Sequence, residues 1–273
     1  MSLPKTEPGL RPLETVADGM EVTRDAFLDG RLTVYQPKSG PRAAIDAVFL
    51  AAAVPVVAGA GQRVLEAGTG SGVASLALGA RVEDVQITGV EVQAALARLA
   101  RKNAALNAMQ DRLRVIEADV TSPWIQLEEA GIARESFDHA AANPPYHTNG
   151  SVRQRTDRCT ATAYSFGADA LEKWVRFLTT AVAPRGTVTL IHKPQALPML
   201  LELLEPRFGA LRVFPLFPAS ASPASRVLVQ GTKGSKAPFE LLPGMVLHEG
   251  DGRYTSQADA VLRGARALTL KRF

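Results

Sequence analysis

The four residues Asn143-Pro144-Pro145-Tyr146 carry the most chemistry in this sequence. An amino nitrogen on an aromatic ring is a poor nucleophile, because its lone pair is delocalised into the ring. Two hydrogen-bond acceptors aimed at its hydrogens help it pyramidalise. The side-chain oxygen of Asn143 and the carbonyl of Pro144 can supply them, and Tyr146 offers a flat face for a ring. A Pro-Pro pair has restricted φ and no N–H to donate, so such a turn is stiff. The same acceptors suit the amino group of adenine or cytosine and the amide of glutamine. A base inside a duplex or stem must first be flipped out of the stack to reach them.

A second constellation lies upstream. Glu66-Ala67-Gly68-Thr69-Gly70-Ser71-Gly72 follows an apolar, strand-like stretch and precedes an Ala/Leu helix. Glycines at alternate positions let the backbone approach a ligand where a Cβ would collide. A dinucleotide fingerprint needs a further glycine at position 73 or 75, and those are Val73 and Ser75. Glu66 would also repel a phosphate, so the turn suits a ligand without one. Glu91 ends the next strand and Asp119 closes the one after it. Ligands of open α/β sheets bind at the carboxyl ends of the strands, and an acidic residue about 20 positions beyond such a turn can take both hydroxyls of a ribose.

These residues require a frame of alternating strands and helices. Strands are predicted at 63–66, 86–91, 113–117, 137–142, 187–192, 211–217 and 226–230. Helices are predicted at 43–54, from the glycine turn to about 80, and at 93–109, 168–182 and 196–204. Asp29-Gly30 between β-favouring residues predicts a hairpin over 27–35. Alternation implies a parallel sheet with helices on both faces. The last two strands have no helix between them and should pair antiparallel. The fold class is therefore α/β: seven strands, mostly parallel, with a terminal antiparallel hairpin. Residues 1–23, with Pro4, Pro8 and Pro12, read as a loosely ordered arm, and 24–273 as one domain. Its cofactor half covers about 60–120 and its catalytic half about 137–273, with the tail from 240 packed on the sheet.

Composition limits the alternatives. The chain has 273 residues, 46% of them hydrophobic and 21% charged, as in ordinary globular domains. No apolar run reaches the roughly 18 residues of a membrane span, and the N-terminus has no long apolar segment of the signal-peptide type. The single cysteine, Cys159, excludes an intramolecular disulfide, and the four histidines lack metal-ligand spacing. A cytoplasmic protein without a metal is expected. A net charge of +4 fits a nucleic-acid partner without requiring one.

In combination, the glycine turn, the three strand-end acids and Asn143-Pro144-Pro145-Tyr146 resemble the class I S-adenosylmethionine-dependent methyltransferases, which have a Rossmann-like fold. The resemblance covers about residues 26–235. It implies S-adenosyl-L-methionine as cofactor, bound by Asp46, Glu66, Gly68, Thr69, Gly70, Gly72, Glu91, Asp119 and Asn143. Glu66, Glu91 and Asp119 would serve its methionine moiety, ribose and adenine amino group respectively. Asn143, Pro144, Pro145 and Tyr146 would be catalytic, aligning an amino group in line with the methyl-sulfonium with no strong base required. The flanking stretches 27–55, 216–234 and 241–248 are similar to the bacterial family that methylates adenine N6 beside the anticodon of a valine tRNA. Glu66 stands where Asp is more common, and Ala44-Ile45-Asp46 replaces a Gly-Thr-Asp type. The resemblance implies tRNA as partner. Arg153, Arg155 and Arg158, just beyond Tyr146, are placed to hold its phosphates. Two other readings stay open: methylation of a protein glutamine amide, and a non-catalytic RNA-binding protein on the same scaffold. DNA adenine methylation fits less well, since no sizeable target-recognition insert is visible.

Overall fold

The computed structural model describes residues 14–16, 20–145 and 168–270. Tyr146, His147, Arg153, Arg155, Arg158 and Cys159 lie outside the described residues.

The expected arm over 1–23 is partly regular structure. Strands β1 (Glu14–Val16), β2 (Met20–Phe27) and β3 (Leu32–Pro37) form a three-stranded antiparallel sheet. The prolines that suggested an arm all precede β1. From Met20 onward the side chains alternate, and Val22 is fully buried against Tyr35, Leu96 and Leu99. The expected hairpin is present, with Phe27 paired to Leu32 across the turn that holds Asp29 and Gly30.

The main sheet holds β4 (Arg63–Ala67), β5 (Gln86–Glu91), β6 (Leu113–Glu117), β7 (Phe137–Ala142), β8 (Val182–His192), β9 (Phe208–Ala219) and β10 (Arg226–Lys233). These are the seven expected strands. Two short strands, β11 (Glu240–Leu241) and β12 (Met245–His248), add to β9. The order is β11-β9-β10-β8-β7-β4-β5-β6, with β12 also on β9. From β8 to β6 every pairing is parallel, while β10 pairs antiparallel with both β8 and β9. β8 starts five residues before its expected position. The register shifts between Phe137 and His139, and Pro184 falls in that irregular stretch.

Helices cover both faces. On one lie α1 (Ile45–Ala53), α2 (Val73–Arg81), α3 (Ala94–Leu106) and the C-terminal α7 (Ser256–Leu262), sharing a core with Phe49, Leu50, Leu76 and Ile191. On the other lie α4 (Trp124–Glu129), α5 (Ala168–Ala181) and α6 (Leu197–Leu204), around Phe177, Leu178 and Leu190. Sequence periodicity missed α4 and α7, which are too short to show a repeat. α7 is started by Thr255, whose hydroxyl accepts from the Ala258 N–H.

The small sheet is joined to the site by two asparagines. Asn103 on α3 and Asn107, the residue that caps its C-terminus one turn later, bond the backbone of Tyr35 and Thr33, two apart on β3. Four helical residues rise about 6 Å and two strand residues about 6.7 Å, so the two repeats match. Asn103 is fully buried, and its Nδ2 also donates to the Ser71 carbonyl inside the glycine turn at 2.8 Å. Replacing Asn103 by Ala orphans three buried backbone groups. A loss of roughly 3 kcal/mol is expected, at about 1–3 kcal/mol for each orphan with partial relaxation. Urea unfolding measures it.

Candidate active site

Three strand ends build the first half of the site. β4 delivers Glu66 and then the turn, in which Gly68, Gly70 and Gly72 have φ of 68°, 56° and 88°. These left-handed values favour glycine. The turn is held from below: Gly68 and Thr69 N–H both donate to the Val90 carbonyl, at 2.8 and 3.0 Å. Gly70 N–H donates to Glu91 Oε2 at 2.9 Å, and Gln93 N–H donates to Glu91 Oε1 at 2.9 Å. The second acidic residue thus braces the turn that the first strand presents.

Glu66 is 6% exposed. Its Oε2 accepts the hydroxyls of Thr69, at 2.8 Å, and of Ser75. Burial pushes its carboxyl up to about 7, against the lowering effect of those hydroxyls. Ser75, which broke the dinucleotide pattern in the sequence, is therefore a working part of the turn. Burial also raises the Glu91 carboxyl, opposed by its backbone N–H donors. Asp119 is exposed and accepts from the Thr121 N–H and hydroxyl, each at 2.8 Å. The sheet brings the three acids to one edge: β4 pairs with β5, and Glu91 is opposite Glu117, two residues before Asp119. Val92, next to Glu91, is 47% exposed although apolar, which suits a surface against a flat ring. The sequence signal for it was a large apolar residue directly after a strand-ending acid.

The turn has room for a ligand at one glycine and none at another. A Cβ on Gly70 meets nothing within 4 Å, whereas one on Gly68 would come within 2.5 Å of the Trp174 ring from α5. Gly68→Ala should therefore lower the melting temperature of the ligand-free protein. Gly70→Ala should cost only about 1 kcal/mol, from the backbone alone, and act chiefly on ligand affinity. Thermal melts with and without ligand separate the two.

β7 supplies the second half. Ala67 of β4 pairs with Ala142 of β7, so the residues that follow, Gly68 and Asn143, emerge side by side from adjacent parallel strands. Asn143 and Pro145 are half-buried and Pro144 is buried. On the far side of β7, Ala142 pairs with Leu190 of β8, which brings His192 abreast of Pro144. Nothing in the local pattern around His192 pointed to a role for it.

Asp46 is held in an ion pair. From the first turn of α1 it accepts from Arg226 Nε at 2.7 Å, at the start of β10. This ion pair clips α1 to the antiparallel part of the sheet. No group of three or more His, Cys, Asp or Glu among the described residues could hold a metal ion. Among them, too, no helix is long and apolar enough to cross a membrane.

Comparison with known proteins agrees with this geometry. Residues 44–165 match the methyltransferase small domain. A tRNA1(Val) (adenine(37)-N6)-methyltransferase of Shewanella woodyi is 30% identical over 160 residues, 59% of this chain and 63% of that protein. The chain thus matches just under two thirds of that relative's length. A protein of the same name from Shewanella baltica is 26% identical over 87% of this chain and 97% of its own length. The crystal structure of a predicted O-methyltransferase from Agrobacterium tumefaciens superposes with a TM-score of 0.70 at 29% identity. It covers 84% of this chain and all of that one.

Proposed function

We propose that this chain, a member of the S-adenosylmethionine-dependent methyltransferases, transfers a methyl group to the N6 amino nitrogen of an adenine in tRNA, close to the anticodon. The observation that carries the reading is the parallel register of β4 and β7. It sets the glycine turn and Asn143-Pro144-Pro145 side by side at the carboxyl ends of adjacent strands.

The residues present fit the cofactor. The space beyond Gly70 is open where a Cβ would stand, Glu91 lies at the turn's edge, and Val92 offers an apolar face. Gly68, Thr69, Gly70, Gly72, Glu91, Val92 and Asp119 would hold S-adenosyl-L-methionine, with Glu66 beneath. When bound, the cofactor supplies an electrophilic methyl group on a sulfonium. The protein's part is to aim the nitrogen. Asn143 Oδ1 and the Pro144 carbonyl accept the two N–H bonds of the amino group and favour its pyramidal form. Tyr146 stacks on the base, and Arg153, Arg155 and Arg158 hold flanking phosphates. Asp46 acts at one remove, through Arg226. The setting is the cytoplasm.

The choice of tRNA over a protein amide is supported by the activity named for the relatives and by the basic balance of the chain. The test offers methyl-labelled S-adenosylmethionine and the purified protein a mixture of undermethylated tRNA and a protein extract. Label in the tRNA fraction is expected. Label in a glutamine side chain would replace this reading with amide methylation. Substitution of Arg153, Arg155 and Arg158 together by Ala should weaken tRNA binding about tenfold or more and flatten its salt dependence, since each phosphate contact adds to the salt slope. Filter binding across a salt series measures both.

A further inference from the structure

Two prolines in succession give the Asn143-Pro144-Pro145 turn no N–H at either position, so only its carbonyls can be tied to the protein. Its upstream end is fixed by the ladder at Ala142. The downstream end meets His192. This residue closes β8, between β7 and β10, where it pairs with Val227, and it is 6% exposed. The Lys193 backbone N–H donates to its Nδ1 at 2.9 Å. With Nδ1 accepting, the ring proton sits on Nε2, and the Pro145 backbone lies within hydrogen-bonding reach of the ring. Burial first, and then the positive charges of Lys193 and Arg226, hold the ring below the usual histidine range, against the raising effect of the Pro145 backbone. The imidazole is thus neutral and engaged on both nitrogens, which makes it a clamp and not a proton acceptor.

We propose that His192 is a positioning residue: by holding the Pro145 carbonyl it fixes the downstream end of the turn, and with it the directions of the Asn143 oxygen and the Pro144 carbonyl. The proposal rests on the reading of Asn143-Pro144-Pro145 as the turn that binds the methyl acceptor. A stiff segment tied at both ends leaves the carbonyl between them one orientation. Untied at one end, the same segment pivots on Ala142.

Three variants test this. His192→Gln keeps a donor near the Nε2 position. His192→Asn keeps only an acceptor for Lys193, and His192→Phe keeps neither while filling the space. A misplaced acceptor pair costs rate without costing cofactor affinity, and displacements near 1 Å cost about 100-fold. For Asn and Phe, kcat should fall by roughly 10- to 100-fold with the cofactor Kd unchanged, and Gln should restore most of the loss. Wild-type kcat in the Asn variant would overturn the proposal. So would equal losses in Asn and Gln, which would mark a merely structural residue. Nitrogen-15 spectra of the histidine rings provide a readout that needs no methyl acceptor. They should show His192 protonated on Nε2 in a slowly exchanging hydrogen bond. A proton on Nδ1 would overturn the contact itself. The expected Nε2–H signal in a protein that leaves RNA unlabelled would instead overturn the RNA reading and leave the clamp standing.

Discussion

Asn143→Ala is expected to lower the rate of methyl transfer by about 100- to 1,000-fold, the usual effect of removing one preorganised polar partner of the reacting group. The side chain is half-buried at the end of β7, directly beside the glycine turn. It is one of only two acceptors assigned to the amino hydrogens, and the other belongs to the backbone. The paired residues of β7 end at Ala142, so the substitution leaves the strand's ladder untouched. Cofactor affinity should change by less than about tenfold, since most of the cofactor's assigned contacts come from β4, β5 and β6. Single-turnover kinetics with a measured cofactor Kd separate the two quantities. A drop in affinity equal to the drop in rate would reassign Asn143 to cofactor binding.

The second large effect concerns stability. The Glu66 carboxyl is raised by burial to about 7, from an ordinary 4.5. The folded protein therefore binds a proton here between pH 4.5 and 7 that the unfolded chain has released. Stability from this group is full below about pH 4.5 and is lost as pH rises through 7. A shift of that size corresponds to about 3 kcal/mol. Glu66→Gln keeps an oxygen to accept the Thr69 and Ser75 hydroxyls and has no proton to lose. At pH 8 the ligand-free variant should melt roughly 6–12 °C above the wild type, at about 2–4 °C per kcal/mol for a chain of this size. Below about pH 4 the two should nearly coincide. His139, which burial lowers to about 4, slopes the other way, losing stability as pH falls from 6.5 towards 4. That slope is common to both proteins and cancels in the comparison. Equal melting curves at pH 8 would show that Glu66 ionises in the folded protein without cost.

The parallel sheet was legible because each strand is a short apolar run ended by a functional residue: Glu66, Glu91, Asn143. β5, β6 and β7 fall at the boundaries the pattern predicts. What the pattern concealed depended on partners distant in the chain. β1 and β12 are short and exist because β2 and β9 offer ladders to them. Asp46 is acidic at a helix start, as in many helices, and nothing local announces Arg226, 180 residues away, as its partner. Asn103 lies in a polar patch of an amphipathic helix and reads as a solvent-facing residue until β3 is laid against it. His192 ends an ordinary buried strand, and its meaning comes from Pro145, in the turn after the neighbouring one. Glycine spacing revealed that the turn approaches a ligand. It did not reveal that Gly68 is held against Trp174 while Gly70 faces open space.

The central claim, that this site methylates an exocyclic amino nitrogen of adenine, is tested most directly by identifying the modified nucleoside. Undermethylated tRNA is incubated with labelled S-adenosylmethionine and either the wild type or Asn143→Ala, then digested to nucleosides and resolved by mass spectrometry. Label in N6-methyladenosine is expected with the wild type and almost none with the variant. Label in a 2′-O-methylated ribose or at a ring carbon, or N6-methyladenosine formed equally well by Asn143→Ala, would contradict it.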